Sequence, residues 1–146
     1  MNILFLHGLE SSPGGSKVVY LEGLGHNVLN PRLPRDNFDE SVTIAQEYID
    51  NENPDIIVGS SRGGAVAMSV DPKGARIILI APAWKRFDVN PALASDTTIL
   101  HCTTDKIVYY EDSEELGTSN LVPCGDDHRM SDEHALEALR VAVEGG

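Results

Sequence analysis

Short apolar runs recur along the chain, with amphipathic segments between them. Ile3-Leu4-Phe5-Leu6 is the first and His26-Asn27-Val28-Leu29 a weaker second. Ile56-Ile57-Val58, Ile77-Ile78-Leu79-Ile80, Thr98-Ile99-Leu100 and Asn120-Leu121-Val122 follow. The runs are rich in β-branched residues and do not alternate polar with apolar, as expected of strands buried on both faces of a parallel sheet. The intervening segments carry helical spacing. Helices are predicted over 16–24, stopped by Gly25, and over 38–51, behind Asn37 with Glu40 placed for a capping box. Further helices are predicted over 62–70, 111–117 and 132–143, the last behind Ser131 as N-cap. Val42, Ala45, Tyr48 and Ile49 share one face of the second helix; Ala135, Leu136, Leu139, Ala142 and Val143 form the stripe of the last.

This order predicts a three-layer α/β/α sandwich with a mainly parallel sheet of about six strands. The 146 residues suit one domain spanning 1–146, and no repeat, linker or low-complexity tract divides it. In such sheets ligands bind beyond the carboxyl ends of the strands, so the segments after each run are where chemistry is sought.

The third strong run leads into Gly59-Ser60-Ser61-Arg62-Gly63-Gly64. This is GxSxG between a strand and a helix, a turn that strains its serine and lifts the hydroxyl clear of the sheet. Ser61 is the candidate nucleophile. A serine needs a base, and in this architecture an acid and then a histidine follow the later strands. His128, in Pro123-Cys124-Gly125-Asp126-Asp127-His128, stands just before the last helix and is the expected base. Asp105, after Thr98-Ile99-Leu100-His101-Cys102, is the expected acid, with Asp88 as its rival. Backbone N–H groups of Arg62 and Leu9 are the expected oxyanion donors. His134 falls within a helix, His26 and His101 fall in or beside strands, and His7 reads as a loop residue bonded to backbone. The turn after the first strand, His7 to Gly14, matches neither GxxxxGK[ST] nor GxGxxG, which sets nucleotide binding aside.

Composition narrows the partners. Acidic residues number 23 against 11 basic, a formal charge of −12. That balance disfavours nucleic acid and anionic membranes. With lysine only at 17, 73, 85 and 106, it is equally the balance of a salt-adapted protein. No apolar run is long enough to span a bilayer, and the first residues lack the basic start and cleavage site of a signal peptide, so a cytoplasmic setting is expected. Cys102 and Cys124 lack CxxC spacing and a Cys/His cluster; they are expected to be reduced thiols, with no metal site.

Taken together, Phe5-Leu6-His7-Gly8-Leu9-Glu10-Ser11-Ser12-Pro13 with Ser16-Lys17, Gly59-Ser60-Ser61-Arg62-Gly63-Gly64, Ala81-Pro82-Ala83, Thr104-Asp105-Lys106-Ile107-Val108 and Gly125-Asp126-Asp127-His128-Arg129-Met130 resemble, in order, the motifs of the YqiA-like small esterase family of α/β-hydrolases. The resemblance covers nearly the whole chain. It implies a minimal α/β-hydrolase fold and a Ser-Asp-His esterase or thioesterase acting on small or acyl-chain substrates without metal or cofactor. Arg62 departs from the apolar residue usual after the nucleophile, which puts pocket charge in question. The stretch 81–97 holds no evident cap, so the site is expected to be shallow and open. Trp84 and Tyr109, with Phe87 and Tyr110, follow strands and are placed either to bind the acyl group or to pack over the sheet edge. A monomer or a weak homo-oligomer is expected, with the monomer as the default. A non-catalytic binding protein of the same fold, or an acyltransferase or peptidase using the same residues, are the alternatives.

Overall fold

Every strand predicted from the apolar runs is present, and all six lie in one sheet. A computed structural model describes residues 1–8, 14–118 and 120–145. The strands are β1 (Asn2–Leu6), β2 (Asn27–Leu29), β3 (Ile56–Ser60), β4 (Arg76–Ile80), β5 (Thr98–His101) and β6 (Leu121–Pro123). They are ordered β2-β1-β3-β4-β5-β6, and each neighbouring pair is parallel. The helices are α1 (Ser16–Gly23), α2 (Phe38–Glu52), α3 (Arg62–Ala67), α4 (Tyr110–Glu114) and α5 (Glu133–Glu144).

Successive strand residues face opposite sides of the sheet, and both sides are covered. Ile3, Phe5, Ile56, Val58, Ile78, Ile80 and Leu100 pack with Val18 and Leu21 of α1 and Ala135, Leu139 and Val143 of α5. Leu4, Leu6, Ile57, Ile77, Leu79 and Ile99 pack on the other side with Ala45 and Ile49 of α2 and Val66 and Ala67 of α3. Two covered faces are the reason the runs do not alternate.

Helix boundaries follow local chemistry. Asn37 caps α2, its side chain accepting from the Glu40 N–H at 2.9 Å, and Asp39 and Glu40 complement the dipole of the first turn. The α3 helix is shorter than the pattern predicts, ending at Ala67 with Met68 as its cap. Pro72 follows closely and disfavours helix in the residue before it. Asp132, not Ser131, caps α5. Its carboxylate takes the Ala135 N–H at 3.2 Å on one oxygen and the Asp126 N–H at 3.0 Å on the other, two bonds that a hydroxyl in its place serves less well.

No strand or helix interrupts 81–97 between β4 and β5, so among the described residues no cap domain covers the carboxyl edge. Among the described residues no helix is long and apolar enough to cross a membrane. The strand order reverses between β1 and β3, where Leu6 and Gly59 are in register. A crevice therefore opens beyond the carboxyl ends of these two strands.

Candidate active site

Ser61 stands at that crevice with φ 56° and ψ −113°, a backbone conformation that costs a residue bearing a Cβ about 1–3 kcal/mol. Its surroundings hold it there. The Ser61 N–H donates to Ile80 C=O at 2.8 Å, and its own carbonyl accepts from Gly64, Ala65 and Ala83. The turn closes only with glycine at two positions. A Cβ on Gly63 would run into the Leu6 carbonyl, and one on Gly59 into the Gly63 carbonyl. The Arg62 N–H opens α3, and no backbone hydrogen bond from it occurs among the described residues.

The loops after β5 and β6 bring the other two groups to the serine. His128 Nε2 lies 3.0 Å from Ser61 Oγ, and His128 Nδ1 lies 2.7 Å from Asp105 Oδ2. Asp105 Oδ1 accepts the Ile107 and Val108 N–H groups at 2.8 and 2.9 Å. Burial by itself would raise the Asp105 carboxyl pKa. The bonds from His128, Val108 and Ile107, and the charge of His128, reverse that and hold it below the ordinary carboxylate value. The carboxylate side chain is closed to solvent, whereas His128 stays partly open. The His128 loop is shaped by Gly125 at φ 89° and by Asp127 Oδ1, which accepts the Arg129 N–H at 3.0 Å. Asp88 is exposed on the turn after β4 and makes none of these bonds.

A further histidine joins the group. His101, fully buried at the end of β5, directs Nε2 at Asp105 Oδ2 (3.1 Å) and at the Val108 carbonyl (2.9 Å), and Nδ1 meets Ser113 Oγ at 2.6 Å. Sequence reasoning set it aside as a strand residue. The available signal was a polar residue closing an apolar run, four positions before the candidate acid.

Several expected positions lie elsewhere. Leu9, the second expected oxyanion donor, lies outside the described residues. Trp84 and Tyr109 do not line the cleft at Ser61. The Trp84 indole N–H donates to Asp112 C=O at 2.9 Å, which turns the ring onto α4, and Tyr109 is 63% exposed at the helix start. Tyr110 leans on the His101 ring. The Arg62 side chain does not charge the pocket. It is 3% exposed, bonds Pro34 C=O at 2.7 Å and Ser41 Oγ at 3.0 Å, and lies against the stacked rings of Phe38 and Phe87. His7 bonds backbone through both nitrogens, Nδ1 to Gly8 C=O and Nε2 from the Leu33 N–H, and His134 is on the surface.

The cleft in front of Ser61 encloses about 810 Å³ and is open to solvent on one side; Phe5, Val18 and Ile107 give it apolar wall. Among the described residues no group of three or more His, Cys, Asp or Glu side chains is placed to hold a metal ion. Cys102 and Cys124 are free thiols, and burial pushes the Cys124 thiol up to about 11.

No protein-family model and no curated protein matches the chain. Solved structures do. A Xanthomonas campestris protein assigned to the alpha/beta hydrolase superfamily superposes with a TM-score of 0.69 at 23% identity, over 98% of this chain and 96% of its own. Est1E from Butyrivibrio proteoclasticus gives 0.75 at 18%, over 99% and 85%. The esterase domain of a Rhodothermus marinus protein gives 0.64 at 21%, over 97% and 82%. The chain has the α/β-hydrolase fold.

Proposed function

We propose that this protein is a serine hydrolase that cleaves carboxylic esters or thioesters of small or acyl-chain substrates, and that it is kin to the YqiA-like small esterases. The observation that carries the reading is the unbroken chain of hydrogen bonds from Ser61 Oγ through His128 to Asp105. Ser61 attacks the acyl carbonyl as His128 Nε2 takes its proton, and Asp105 holds the imidazole by Nδ1 and stabilises the imidazolium that forms. The carbonyl oxygen, now an alkoxide, is met by the Arg62 N–H and by the N–H expected of Leu9. Collapse expels the alcohol or thiol with the proton from His128. Water then enters by the same route and releases the acid from Ser61. Each proton in the cycle moves through His128, and no cofactor is called on. The resemblance of the fold to esterases, and a cleft with no cap over it, favour a short or flexible acyl group. A monomeric, cytoplasmic protein belongs to the same reading.

A fluorophosphonate probe tests it. Labelling is expected at Ser61, located by peptide mass, absent in Ser61→Ala and sharply reduced in His128→Ala. A folded wild-type protein that takes no label removes the reading and favours a binding protein of the same fold.

A further inference from the structure

The molecule is strongly acidic, yet the cleft at Ser61 is cationic. Acidic residues outnumber basic ones 23 to 11, but the charged side chains lining the cleft, among the described residues, are Lys17, Arg86 and Arg129, with no carboxylate. We infer that the substrate is itself an anion, an ester or thioester carrying a carboxylate or phosphate group that Lys17, Arg86 and Arg129 receive. The inference rests on the reading of Ser61 as nucleophile and names the substrate class for that site.

Three cations elsewhere on the surface are paired with neighbouring carboxylates. Lys85 pairs with Asp112 and Glu115, Arg140 with Glu137 and Glu144, and Lys73 with Asp50. None of the three cleft cations forms an ion pair among the described residues. Lys17 instead donates to the Arg129 carbonyl, which ties α1 to the loop bearing His128 and brings the two cations to one rim. Burial, and then the neighbouring Arg129, push the Lys17 ammonium below its ordinary value, and Asp127 offsets this in part. Asp127 Oδ1 accepts the Arg129 N–H, and its carboxylate forms no ion pair with Lys17, Arg86 or Arg129 among the described residues. Like charges gathered beside a nucleophile, in a chain rich in carboxylates, create a site of positive potential that an anionic ligand relieves. Arg86 reaches the same cleft from the turn after β4, so the three cations converge from separate segments. The volume suits a small molecule with an acyl and a leaving part.

The test compares matched esters. One pair places a carboxylate in the acyl part, 4-nitrophenyl hemisuccinate against its methyl ester. The other places a phosphate in the leaving group, 4-acetoxyphenyl phosphate against 4-methoxyphenyl acetate. We expect kcat/KM for an anionic member to exceed that of its neutral partner by about tenfold at low salt, and the advantage to shrink several-fold in about 0.5 M NaCl. The same shrinkage is expected in Arg86→Gln and Arg129→Gln, whose exposed side chains make no described fold contact, and not in Lys73→Gln. The pair that shows the effect identifies the anion and the side on which it sits. Equal or higher kcat/KM for the neutral member of both pairs, in protein whose Ser61 labels, overturns the inference and leaves the hydrolase intact. Should Ser61 neither label nor turn over, succinate and inorganic phosphate are titrated against wild type and against Arg86→Gln/Arg129→Gln, following the amides of Gly15 and Ser16 by NMR. Binding lost in the double variant upholds an anion site while the serine reading falls, and no binding in wild type overturns both.

Discussion

His101 Nε2 and Asp105 Oδ2 are 3.1 Å apart in the interior, and that oxygen is the one His128 Nδ1 also reaches. Both neighbours of His101 Nε2, the Asp105 carboxylate and the Val108 carbonyl, are acceptors, so this nitrogen carries the hydrogen and Ser113 donates to Nδ1. The Asp105 carboxylate thereby meets four donors and cannot rotate. On the reading of Asp105 as the acid, His101 is a positioning residue for it. His101→Leu is expected to lower kcat about tenfold with KM nearly unchanged, and to lower stability by roughly 1–3 kcal/mol, since Asp105 and Ser113 each lose a buried partner. His101→Gln, which keeps a donor, is expected to recover part of kcat. Steady-state kinetics on the two variants checks this; equal losses in both, or a loss confined to KM, speak against it.

Acid sensitivity follows from Asp105. Its folded pKa lies below the unfolded value of about 3.9. The group therefore contributes stability that is fully present above that value and is lost as pH falls through the folded pKa. Urea midpoints of wild type are expected to fall steeply below about pH 4. Asp105→Asn is expected to be less stable at neutral pH and to show a shallower acid limb. Parallel pH profiles for the two proteins would contradict the assignment.

Ser61→Gly is expected to raise stability. At φ 56° glycine is unstrained, so relief of about 1 kcal/mol, or a few degrees in Tm, is expected. The same substitution removes the hydroxyl of the candidate nucleophile. A thermal scan of the variant beside Ser61→Ala, which keeps the strain, measures the difference.

Arg62→Met tests the buried guanidinium. Methionine fills the space beside the Phe38–Phe87 stack with favourable sulfur–ring contact, and Pro34 C=O keeps its bond from Ser41 Oγ. A moderate loss of about 1–2 kcal/mol is expected. Urea denaturation checks it, and a gain in stability would show that burial of the charge outweighs its bonds.

The order of strands and helices was legible because each apolar run is covered on both faces and each helix carries its own stripe and cap. The meeting of Ser61, Asp105 and His128 was legible because each stands in the segment after a strand, and parallel strands deliver those segments to one edge. Other features depend on partners remote in sequence. His101 becomes part of the site only because the loop after β5 turns Asp105 back onto it. Trp84 left the pocket because an indole N–H found the Asp112 carbonyl of α4. Arg62 looked like a pocket charge until Pro34, Ser41 and the Phe38–Phe87 pair took its side chain. The cationic cleft was hidden in an acidic average, since Lys17, Arg86 and Arg129 lie far apart along the chain.

Ser61, Asp105 and His128 leave the ends of β3, β5 and β6, and His128 belongs to the last of these. A ribosome delivers this chain with Ser61 well ahead of His128, and domains form as units once their parts are available. The Ser61–His128 hydrogen bond can close only after the edge strand has joined the sheet. On the reading of Ser61 as nucleophile, the serine gains its base only when β6 is in place. Probe labelling of Ser61 would then report that this edge of the sheet has formed.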